Sequence, residues 1–314
     1  MTETRQFPEF ISFGEALTDL IRTGPNQWQS VPGGAPWNVA MVMAHFGVAS
    51  AFGGAISADC FGDAMWQASQ RAGLDLRFTQ RLAKSPLLAV VHETHPPQYY
   101  FIGDDSADLH FSIEDLPSGW MQAVRWAHFG CISLVRQPLG NRLVALAERL
   151  RQQGVKISYD PNFRNLMDER YDPILARMAA LADLIKVSEE DLRGLFRTTD
   201  EAAALARLRA LNPAAACFFT QGAQSAAIYA DGQCWQAMPP KIEVVDTVGA
   251  GDTSLAGLLS SLMRQPQAGW GEHLRVALAA GAGACLAAGA SPPSASVLQR
   301  LSGEVRFLAS LEMP

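Results

Sequence analysis

The chain has 314 residues, of which 48% are hydrophobic and 18% charged, a composition typical of a globular enzyme. Its net charge of −6 is spread without a basic run, which argues against nucleic acid and anionic membranes as partners, and the longest Ala/Gly-rich run, Val276 to Ala290, is too short to span a membrane. Scattered cysteines without a C-x-x-C pair, together with a polar start in place of a signal peptide, indicate reduced thiols and a cytoplasmic protein.

The first predicted elements are a short strand, Phe10 to Phe13, and a helix that Pro36 opens and that continues to Phe46. Asp19 follows the strand, and in open parallel α/β sheets ligands bind beyond the C-terminal strand ends. Gly33 and Gly34 allow the loop before the helix to close on a ligand, and Asn38 lies in the first turn, where its amide can donate and accept.

Two extended runs, Leu87 to Thr94 and Gln98 to Ile102, are joined by a Pro-rich turn. This pattern predicts a hairpin instead of a strand–helix–strand unit. Together with shorter extended pieces around Ile21 and Val31, the hairpin predicts a small sheet separate from the main one.

From Trp126 onward, strands alternate with helices, which predicts parallel strands with right-handed crossovers. An Asp-Gly turn predicts one antiparallel hairpin, Ala226–Ala230 with Gln233–Ala237. The other predicted strands are Ala51–Ile56, Ala127–Leu134, Val155–Asp160, Leu184–Val187, Ala216–Thr220 and Lys241–Val245. The other predicted helices are Phe61–Arg71, Leu139–Gln152, Pro173–Leu181, Glu189–Phe196, Glu201–Leu211, Leu255–Met263, Leu274–Ala288 and Ser296–Leu301.

The strongest candidate site is the tetrapeptide Gly249-Ala250-Gly251-Asp252, which lies before a predicted helix. Its glycines let the backbone approach a ligand closely. A helix start leaves free N–H groups and partial positive charge, which bind anions such as phosphate. A carboxylate at Asp252 is then suited to take a proton from the group that attacks the phosphate. The alternative is that Asp252 is only the N-cap of the helix, a position that Asp favours.

The run from Asp246 to Gly257, D-T-x-G-A-G-D-x-x-x-x-G, resembles the C-terminal signature of the ribokinase-like, or PfkB-type, carbohydrate kinases. Gly33 to Ala40 matches their N-terminal signature, and Gly14 to Asp19 and Asp160 to Arg164 are most similar to the fructokinase branch. The resemblance implies an α/β fold, in which residues 1–314 form one three-layer α-β-α domain around a central, mostly parallel sheet. It also implies a small β-sheet lid built from segments at about 16–33 and 86–112.

The resemblance implies catalytic roles for residues of the C-terminal signature. Asp252 is the expected general base, and the N–H groups of Gly249, Ala250 and Gly251 are expected to stabilise charge on the γ-phosphoryl group of ATP. No Walker A sequence is present, so this backbone has to supply the anion site. Arg164 could contact the γ-phosphoryl group or a substrate carboxylate as a two-pronged donor. Its alternative is a surface pair with Asp168 or Glu169.

Further residues match the sugar, nucleotide and ion positions of the family. Asp19, Gly33, Gly34 and Asn38 match positions that hold sugar hydroxyls. Without the resemblance, Asp19 would be interpreted as a solvated turn residue and Asn38 as a surface residue. Ser188, Thr220 and Gly222, with Gly249 and Gly251, match the nucleotide site. The resemblance links magnesium to Asp191. Glu190 is the alternative, because Asp191 stands where the family usually has Glu and Ser188 where it usually has Asn. Asp246 is a candidate ligand of a monovalent cation.

The function implied is ATP- and Mg²⁺-dependent phosphorylation of a primary sugar hydroxyl, with fructose 6-phosphate as the leading product and K⁺ as a candidate activator. One alternative keeps the chemistry and changes the acceptor to 2-keto-3-deoxygluconate or another sugar or nucleoside. Another is a catalytically inactive sugar-sensing protein, against which the intact tetrapeptide argues. The expected partners are a sugar, ATP and a second copy bound through the lid, without nucleic acid or membrane.

Overall fold

The computed structural model describes residues 6–94 and 97–308, with the side chains of residues 94 and 97–99 left out of the description. The strands in these ranges are β1 (Phe10–Phe13), β2 (Leu17–Gly24), β3 (Gln27–Gly33), β4 (Ser50–Ser57), β5 (Thr79–Leu82), β6 (Leu88–Thr94), β7 (Pro97–Ile102), β8 (Trp126–Gly130), β9 (Lys156–Asp160), β10 (Leu184–Ser188), β11 (Ala216–Gln221), β12 (Ser225–Ala230), β13 (Gln233–Met238) and β14 (Arg306–Phe307). The α-helices are α1 (Ala35–His45), α2 (Cys60–Arg71), α3 (Leu139–Gln152), α4 (Asp172–Leu181), α5 (Glu189–Phe196), α6 (Glu201–Leu211), α7 (Ala250–Arg264), α8 (Trp270–Ala284) and α9 (Ala295–Ser302). None of these helices has the length and apolar character of a membrane span.

The main sheet has ten strands in the order β14-β13-β12-β11-β10-β9-β8-β1-β4-β5. The strands from β11 to β5 are parallel to their neighbours, and β12, β13 and β14 are antiparallel. Every residue of β1 and of β4 is buried, as expected for parallel strands that are covered on both faces. The predicted central, mostly parallel sheet is therefore confirmed.

Two layers of helices cover this sheet. Apolar residues of α3, α4, α5 and α6 pack on one face, against side chains such as Ile11 and Phe129. Apolar residues of α1, α7 and α8 pack on the other, against side chains such as Phe10 and Phe218. Because side chains alternate between the two faces of a strand, one apolar run such as β1 supplies both cores. The predicted three-layer α-β-α arrangement is present.

The predicted small sheet is also present, with the strand order β3-β2-β6-β7. β2 is antiparallel to β3 and parallel to β6, and β6 and β7 form the expected hairpin, whose predicted turn residues 95–96 lie outside the described ranges. The strands cover residues 17–33 and 88–102, so the second segment is shorter than the predicted 86–112. Leu109 and Phe111 instead pack into the main core, because they are apolar and follow the last strand of the small sheet.

The prediction of a strand at Lys241–Val245 was wrong. This segment has no strand pairing in the structure, and Val244 and Val245 are 55% and 63% exposed. The edge of β13 is taken by β14, a two-residue strand that was not predicted. The backbone N–H groups of Val245 and Asp246 donate to Cys285 O instead, at 2.9 and 3.4 Å.

Three other elements have boundaries that lie four or five residues from the predicted ones. β8 ends at Gly130, and the chain turns at Cys131, where φ is 55°, into a short 3₁₀ helix instead of continuing as a strand to Leu134. α7 begins at Ala250, earlier than the predicted Leu255, so it includes the glycine-rich tetrapeptide. α8 begins and ends four residues before the predicted helix.

Candidate functional site

The candidate residues converge at one edge of the main sheet. β9, β10 and β11 are parallel, so Asp160 and Ser188, which end β9 and β10, and Thr220, the penultimate residue of β11, all lie near that edge, with Ser188 directly opposite Thr220 in the register. The first turn of α7 lies over the same edge, since a Cβ added to Gly251 would come within 3.5 Å of Lys186 Nζ on β10. The topology therefore assembles the site that the sequence predicted at strand ends.

Asp252 is not the N-cap of its helix. The N-cap is Gly249, in the left-handed conformation with φ 75°, and no side chain caps this end. Asp252 is the third residue of α7, and its Oδ2 accepts a hydrogen bond of 2.9 Å from Asn38 Nδ2, 214 residues away. This bond joins the two sequence signatures directly, so the interpretation of Asp252 as only a cap is wrong.

The environment of Asp252 adjusts its basicity. Asp252 is only 9% exposed, and this burial raises the pKa of its carboxyl group above the ordinary value. The hydrogen bond from Asn38 and the positive charges of Lys186 and Arg164 act in the opposite direction. A carboxylate whose pKa is moved toward neutral pH is a better proton acceptor than an ordinary one, provided that it stays ionised.

The start of α7 provides open backbone donors. The N–H of Ala250 donates to Thr247 O at 3.2 Å, which closes the turn before the helix, so Ala250 is not the free donor that was expected. Within the described chain, the N–H groups of Gly251 and Asp252 have no protein acceptor. The first free N–H groups of a helix carry its positive dipole end and bind anions. The pair at Gly251 and Asp252 is therefore the candidate phosphate site.

Gly249 is required by the close approach of another segment. A Cβ at Gly249 would lie 2.4 Å from the Cβ of Ala290, and the positive φ also favours glycine. Asp246 connects the same two segments, because its Oδ1 accepts from Val248 N at 3.0 Å and its Oδ2 from Gly289 N at 2.8 Å. Although burial, the largest single effect, raises the pKa of Asp246, these backbone donors bring it below the ordinary value. The predicted cation role of Asp246 stays a prediction.

Lys186 is a site residue that sequence reasoning missed. It is 5% exposed, and its Nζ lies 3.0 Å from Asp160 Oδ2 and 3.9 Å from Asp191 Oδ2. Burial would lower the pKa of the ammonium, but the two carboxylates raise it above the ordinary value, so the group is charged. A lysine inside the apolar run of β10 is the signal that could have revealed it, because lysine is almost never fully buried without a partner.

Asp191 serves the local structure through both of its oxygens. Its Oδ2 accepts from the N and the Oγ of Ser188, each at 2.7 Å, in a capping box at the start of α5. Its Oδ1 accepts from Phe163 N at 2.7 Å, which fixes the loop after β9. This geometry does not favour the predicted magnesium role of Asp191. In the described ranges, no group of three His, Cys, Asp or Glu side chains is arranged to hold a metal ion, and Glu190 stays a prediction.

The predicted sugar residues lie together. Gly33 faces Asp19 across the β2–β3 pair, because a Cβ at Gly33 would lie 2.5 Å from Asp19 Oδ2. Burial raises the pKa of Asp19 to about 6, against the lowering effect of Arg164. Gly34 is the N-cap of α1 with φ 109°, and its Cβ would lie 2.8 Å from Glu15 O. α1 then carries Asn38 to Asp252, so the sugar candidates and the base share one site.

The charge of Arg164 acts on two of the candidate site residues. Its Nη1 donates to Asn162 O, Asn162 Oδ1 and Phe163 O at 3.1, 2.7 and 2.7 Å. Its charge lowers the pKa of both Asp19 and Asp252. The surface partner considered from the sequence, Asp168, is paired with Arg170 instead.

Glu15 lies behind the site and is fully buried. Its Oε2 accepts from the backbone N of Ser133 at 3.1 Å and from the Ser133 hydroxyl, while its Oε1 has no hydrogen-bond partner in the described chain. Burial raises the pKa of Glu15 from its ordinary 4.5 to about 7, and the bonds to Ser133 only partly offset this. Glu15 is therefore a carboxyl that is costly to ionise.

Two residues predicted for the nucleotide site lie here, Thr220 near the end of β11 and Gly222 in the turn that follows, and their contact with phosphate stays a prediction. Gly222 has φ 54°, and Gln224 N donates to Gln221 O at 3.0 Å, which closes a tight turn beyond Thr220. Ser225 is buried in β12 and donates from its Oγ to Gln221 Oε1 at 2.8 Å. This hydrogen bond from Ser225 therefore stabilises the turn.

Comparisons with known proteins agree with this arrangement. The model of the pfkB family carbohydrate kinases matches residues 8–297. The chain is 34% identical to a fructokinase of Klebsiella pneumoniae over 257 residues, 79% of this chain and 82% of the relative. It is 32% identical to an aminoimidazole riboside kinase of Salmonella typhimurium over 258 residues, 80% of each chain.

Solved structures give the same result. A fructokinase of Xylella fastidiosa with bound ATP superposes with a TM-score of 0.86 at 26% identity, covering 95% of this chain and 99% of the other. A fructokinase of Vibrio cholerae O395 with fructose, ADP and calcium superposes with a TM-score of 0.82 at 28% identity, covering 94% and 99%.

Proposed function

Because the chain belongs to the pfkB family of carbohydrate kinases, we propose that it transfers the γ-phosphoryl group of ATP to the primary hydroxyl of fructose and releases fructose 6-phosphate. The observation that carries this proposal is the bond between Asn38 and Asp252. It places a candidate base from the C-terminal signature on a candidate sugar-binding amide from the N-terminal signature. A general base has to be within hydrogen-bonding reach of the hydroxyl that it deprotonates, and this contact provides such a position.

The proposed mechanism assigns separate tasks to the residues of the site. Asp19 and Asn38 orient the sugar, and Asp252 takes the proton of the attacking hydroxyl. The open N–H groups of Gly251 and Asp252 stabilise the charge on the transferring group. Arg164 adds positive charge between the sugar side and the base. Positioning and electrostatic stabilisation are the main sources of rate in phosphoryl transfer.

ATP fits the start of α7 because that helix end has two N–H groups without a protein acceptor in the described chain. Gly251 leaves the approach free, since a Cβ there would meet only the end of Lys186. The Xylella relative was solved with bound ATP, which supports the same nucleotide for this chain. The other proposed ATP contacts are Ser188 at the end of β10, Thr220 near the end of β11, and Gly222 in the turn after β11.

Mg²⁺ is the proposed companion of ATP, and its chemical contribution is to neutralise charge on the phosphates. Magnesium commonly keeps several waters and takes few protein ligands, so the site does not need a cluster of acids. Glu190 is the proposed contact, with Asp191 as its weaker rival because both oxygens of Asp191 already have donors. K⁺ near Asp246 is proposed from the family resemblance.

We prefer fructose over acidic acceptors because the second strand of the hairpin, Pro97 to Ile102, contains no basic residue that would bind a carboxylate. Arg164, whose charge acts on Asp19, is the one nearby exception. The Vibrio relative, solved with fructose, supports this choice. The second candidate is a ribonucleoside such as aminoimidazole riboside, favoured by the 32% identity to the Salmonella enzyme. Because the proposed reaction consumes ATP, we also propose that the protein works in the cytosol.

The test is ADP release with a panel of fructose, 2-keto-3-deoxygluconate and aminoimidazole riboside. We expect the highest kcat/KM for fructose. A higher value for either of the other acceptors would reject fructose while leaving the kinase chemistry in place. ADP release with none of them above the acceptor-free rate would favour a sugar-sensing protein.

We also propose that the small sheet closes over the sugar and contacts a second copy. It exposes large side chains, since Trp28, Tyr100 and Ile102 are 47%, 54% and 50% exposed. Sedimentation at several protein concentrations tests this pairing. We expect a dimer for the wild type and a monomer for Tyr100→Glu, and a wild-type protein that stays monomeric would reject the pairing.

A further inference from the structure

Two buried polar atoms lie where the small sheet joins the main domain, and neither has a hydrogen-bond partner among the described residues. One is the hydroxyl oxygen Oγ1 of Thr18, near the start of β2. The other is Oδ2 of Asp108, in the segment that follows the small sheet along the chain. Thr18 is 2% exposed and Asp108 is 1% exposed. Buried polar atoms nearly always bond to protein or to ordered water, so these two atoms indicate a bound polar molecule.

Thr18 and Asp108 line the same cavity. Its other walls come mainly from β4, α2 and the residues before β6, and most of them are apolar, such as Ile56 and Met65. The space open to the centre of a water-sized molecule is about 10 Å³, which is close to the smallest volume that holds one water. An apolar cavity stays dry, whereas a bound water takes roughly two to four polar partners. The two unpartnered atoms provide such partners.

The side chain of Asp108 is fixed by its neighbours. Its Oδ1 accepts a hydrogen bond from the hydroxyl of Ser106, and Ser106 Oγ accepts in turn from Arg136 Nη2 at 2.8 Å. Arg136 Nε is 3.4 Å from Asp108 Oδ2, beyond the usual range of an N–H···O hydrogen bond. The guanidinium therefore acts on Oδ2 mainly through its charge, and Oδ2 can still accept a hydrogen bond from a bound molecule.

Water suits this cavity better than a metal ion does. Burial, the largest effect, raises the pKa of Asp108 above its ordinary value, while the charge of Arg136 acts in the opposite direction. A water fits either form of the carboxyl, because it can donate to the ionised group and accept from the protonated one. A cation at Asp108 Oδ2 would instead be repelled by the guanidinium of Arg136.

We propose that this cavity is a hydration site, in which one water bonds to Thr18 Oγ1 and Asp108 Oδ2 and joins β2 to the segment that follows the small sheet. Successive side chains of a strand point to opposite faces, so Asp19 points away from the cavity, toward Gly33. By holding the backbone of β2, the water also positions Asp19 for the sugar. This effect on Asp19 rests on the proposed function, whereas the hydration site itself does not.

Thr18→Val separates a hydrated cavity from a dry one. Valine keeps the branched shape of threonine and replaces the hydroxyl with a methyl group. In a hydrated cavity the water loses a partner, so we expect the unfolding equilibrium constant to rise about fivefold, as for one lost hydrogen bond. In a dry cavity the same change removes an unsatisfied hydroxyl, so the stability would stay equal or increase. Thr18→Ser keeps the hydroxyl and should keep the water.

The direct readout is the number of long-lived internal waters, counted by oxygen-17 relaxation dispersion on the full chain. We expect about one such water fewer in Thr18→Val than in the wild type. Thr79→Val is the matched control, because Thr79 is also a buried strand threonine, but its hydroxyl donates to Phe52 O at 3.1 Å and it does not line the cavity. It should keep the wild-type number of waters although it loses a hydrogen bond.

The readout for Asp19 is the KM for fructose. It should rise about threefold in Thr18→Val, less than for a lost direct bond to a charged group, because the effect passes through the backbone. KM for ATP should not change, and Thr18→Ser should stay close to the wild type in both values. An unchanged KM for fructose in Thr18→Val would reject the positioning of Asp19.

An equal number of internal waters in the wild type and Thr18→Val would overturn the hydration site, and so would an unchanged or increased stability of Thr18→Val. If Thr18→Val does not fold, a crystal structure of the wild type decides. A water between Thr18 and Asp108 would support the site, and either a metal ion or no ordered density there would overturn it. A wild-type protein that phosphorylates no acceptor would reject the proposed function, whereas the loss of one water in Thr18→Val would still support the hydration site.

Discussion

Replacing Asp252 with Asn tests the base assignment most directly. The substitution keeps the size of the side chain and an oxygen that can accept the 2.9 Å hydrogen bond from Asn38, but the amide cannot take a proton. A positioned general base contributes about 10²–10⁴-fold, so we expect kcat to fall by at least about 10²-fold. Binding of ATP and of sugar should remain, because neither depends on that proton.

The structure also sets the expected effect of Asp252→Asn on stability. Asp252 lies in the first turn of α7, where loss of a carboxylate costs about 0.3–1 kcal/mol through the helix dipole. Burial raises its pKa, so removing the charge also relieves a desolvation cost of opposite sign. Since no core volume is lost, the melting temperature should move by only a few degrees.

The assay couples ADP release to a spectrophotometric readout at saturating ATP and fructose, with calorimetric binding and thermal melts of the same samples. Glu272→Gln is the matched control, because Glu272 is also a first-turn acid of a 15-residue helix, and it should keep the wild-type kcat. A well-folded Asp252→Asn protein that keeps more than about a tenth of the wild-type kcat would refute the base assignment, since tenfold is only about 1.4 kcal/mol of barrier.

Three further predictions concern the sugar side, the buried acid and the small sheet. Gly33→Ala places a methyl 2.5 Å from Asp19 Oδ2, so the carboxylate must move. We expect KM for sugar to rise about tenfold or more at unchanged KM for ATP, as when a hydrogen bond to a charged group is lost. Gly269→Ala is the control and should behave as the wild type, because no atom lies within 4 Å of its added methyl. Because the pKa of Glu15 is raised from 4.5 to about 7 on folding, the folded state binds the extra proton, and the free energy of unfolding should fall by about 3 kcal/mol as pH rises through that window and then level off. Denaturant titrations at pH 5 and pH 8 should show a loss that is larger by this amount in the wild type than in Glu15→Gln, because Asp19 and Asp160, whose pKa values are raised to about 6 and about 7, titrate in both proteins. Equal pH dependence of the two proteins would contradict the role of Glu15. Fructose plus nucleotide should slow hydrogen exchange of residues 87–102, because closure protects the strands, and unchanged exchange would count against a closing sheet.

Much of the fold follows from the sequence because its signals are local and repeated. Alternating strands and helices predict the parallel sheet without long-range information. The segment Lys241–Val245 shows where this reasoning stops. A short apolar run is consistent with a strand, but a strand also needs a free neighbouring edge, and here β14 takes that edge. Whether an edge is free depends on residues more than sixty positions away, which no local pattern reveals.

The candidate site divides in the same way. The convergence of Asp19, Gly33 and Asn38 could be predicted, because they occur in motifs at strand ends and helix starts, whereas their role in sugar binding stays a prediction. The position of Asp252 within its helix could not, since both Gly and Asp are favoured N-caps and only the left-handed φ of Gly249 decides between them. The engagement of Asp191 with Ser188 and of Ala250 with Thr247 also depends on backbone geometry.

The arrangement of charge at this site differs from that of a Walker A motif, whose lysine the sequence lacks. Such a lysine extends from a loop and contacts phosphate as a mobile point charge. Here the buried cation is Lys186 on β10, whose ammonium is 3.0 Å from Asp160 Oδ2 and 3.5 Å from the point where a Cβ of Gly251 would lie. A fixed cation in a buried site needs no rearrangement when charge develops during transfer, which is the condition under which electrostatic stabilisation is most effective. Burial also raises the pKa of Asp252, which would make this proposed base a stronger proton acceptor. The positive charges of Lys186 and Arg164 oppose that rise and favour the ionised carboxylate.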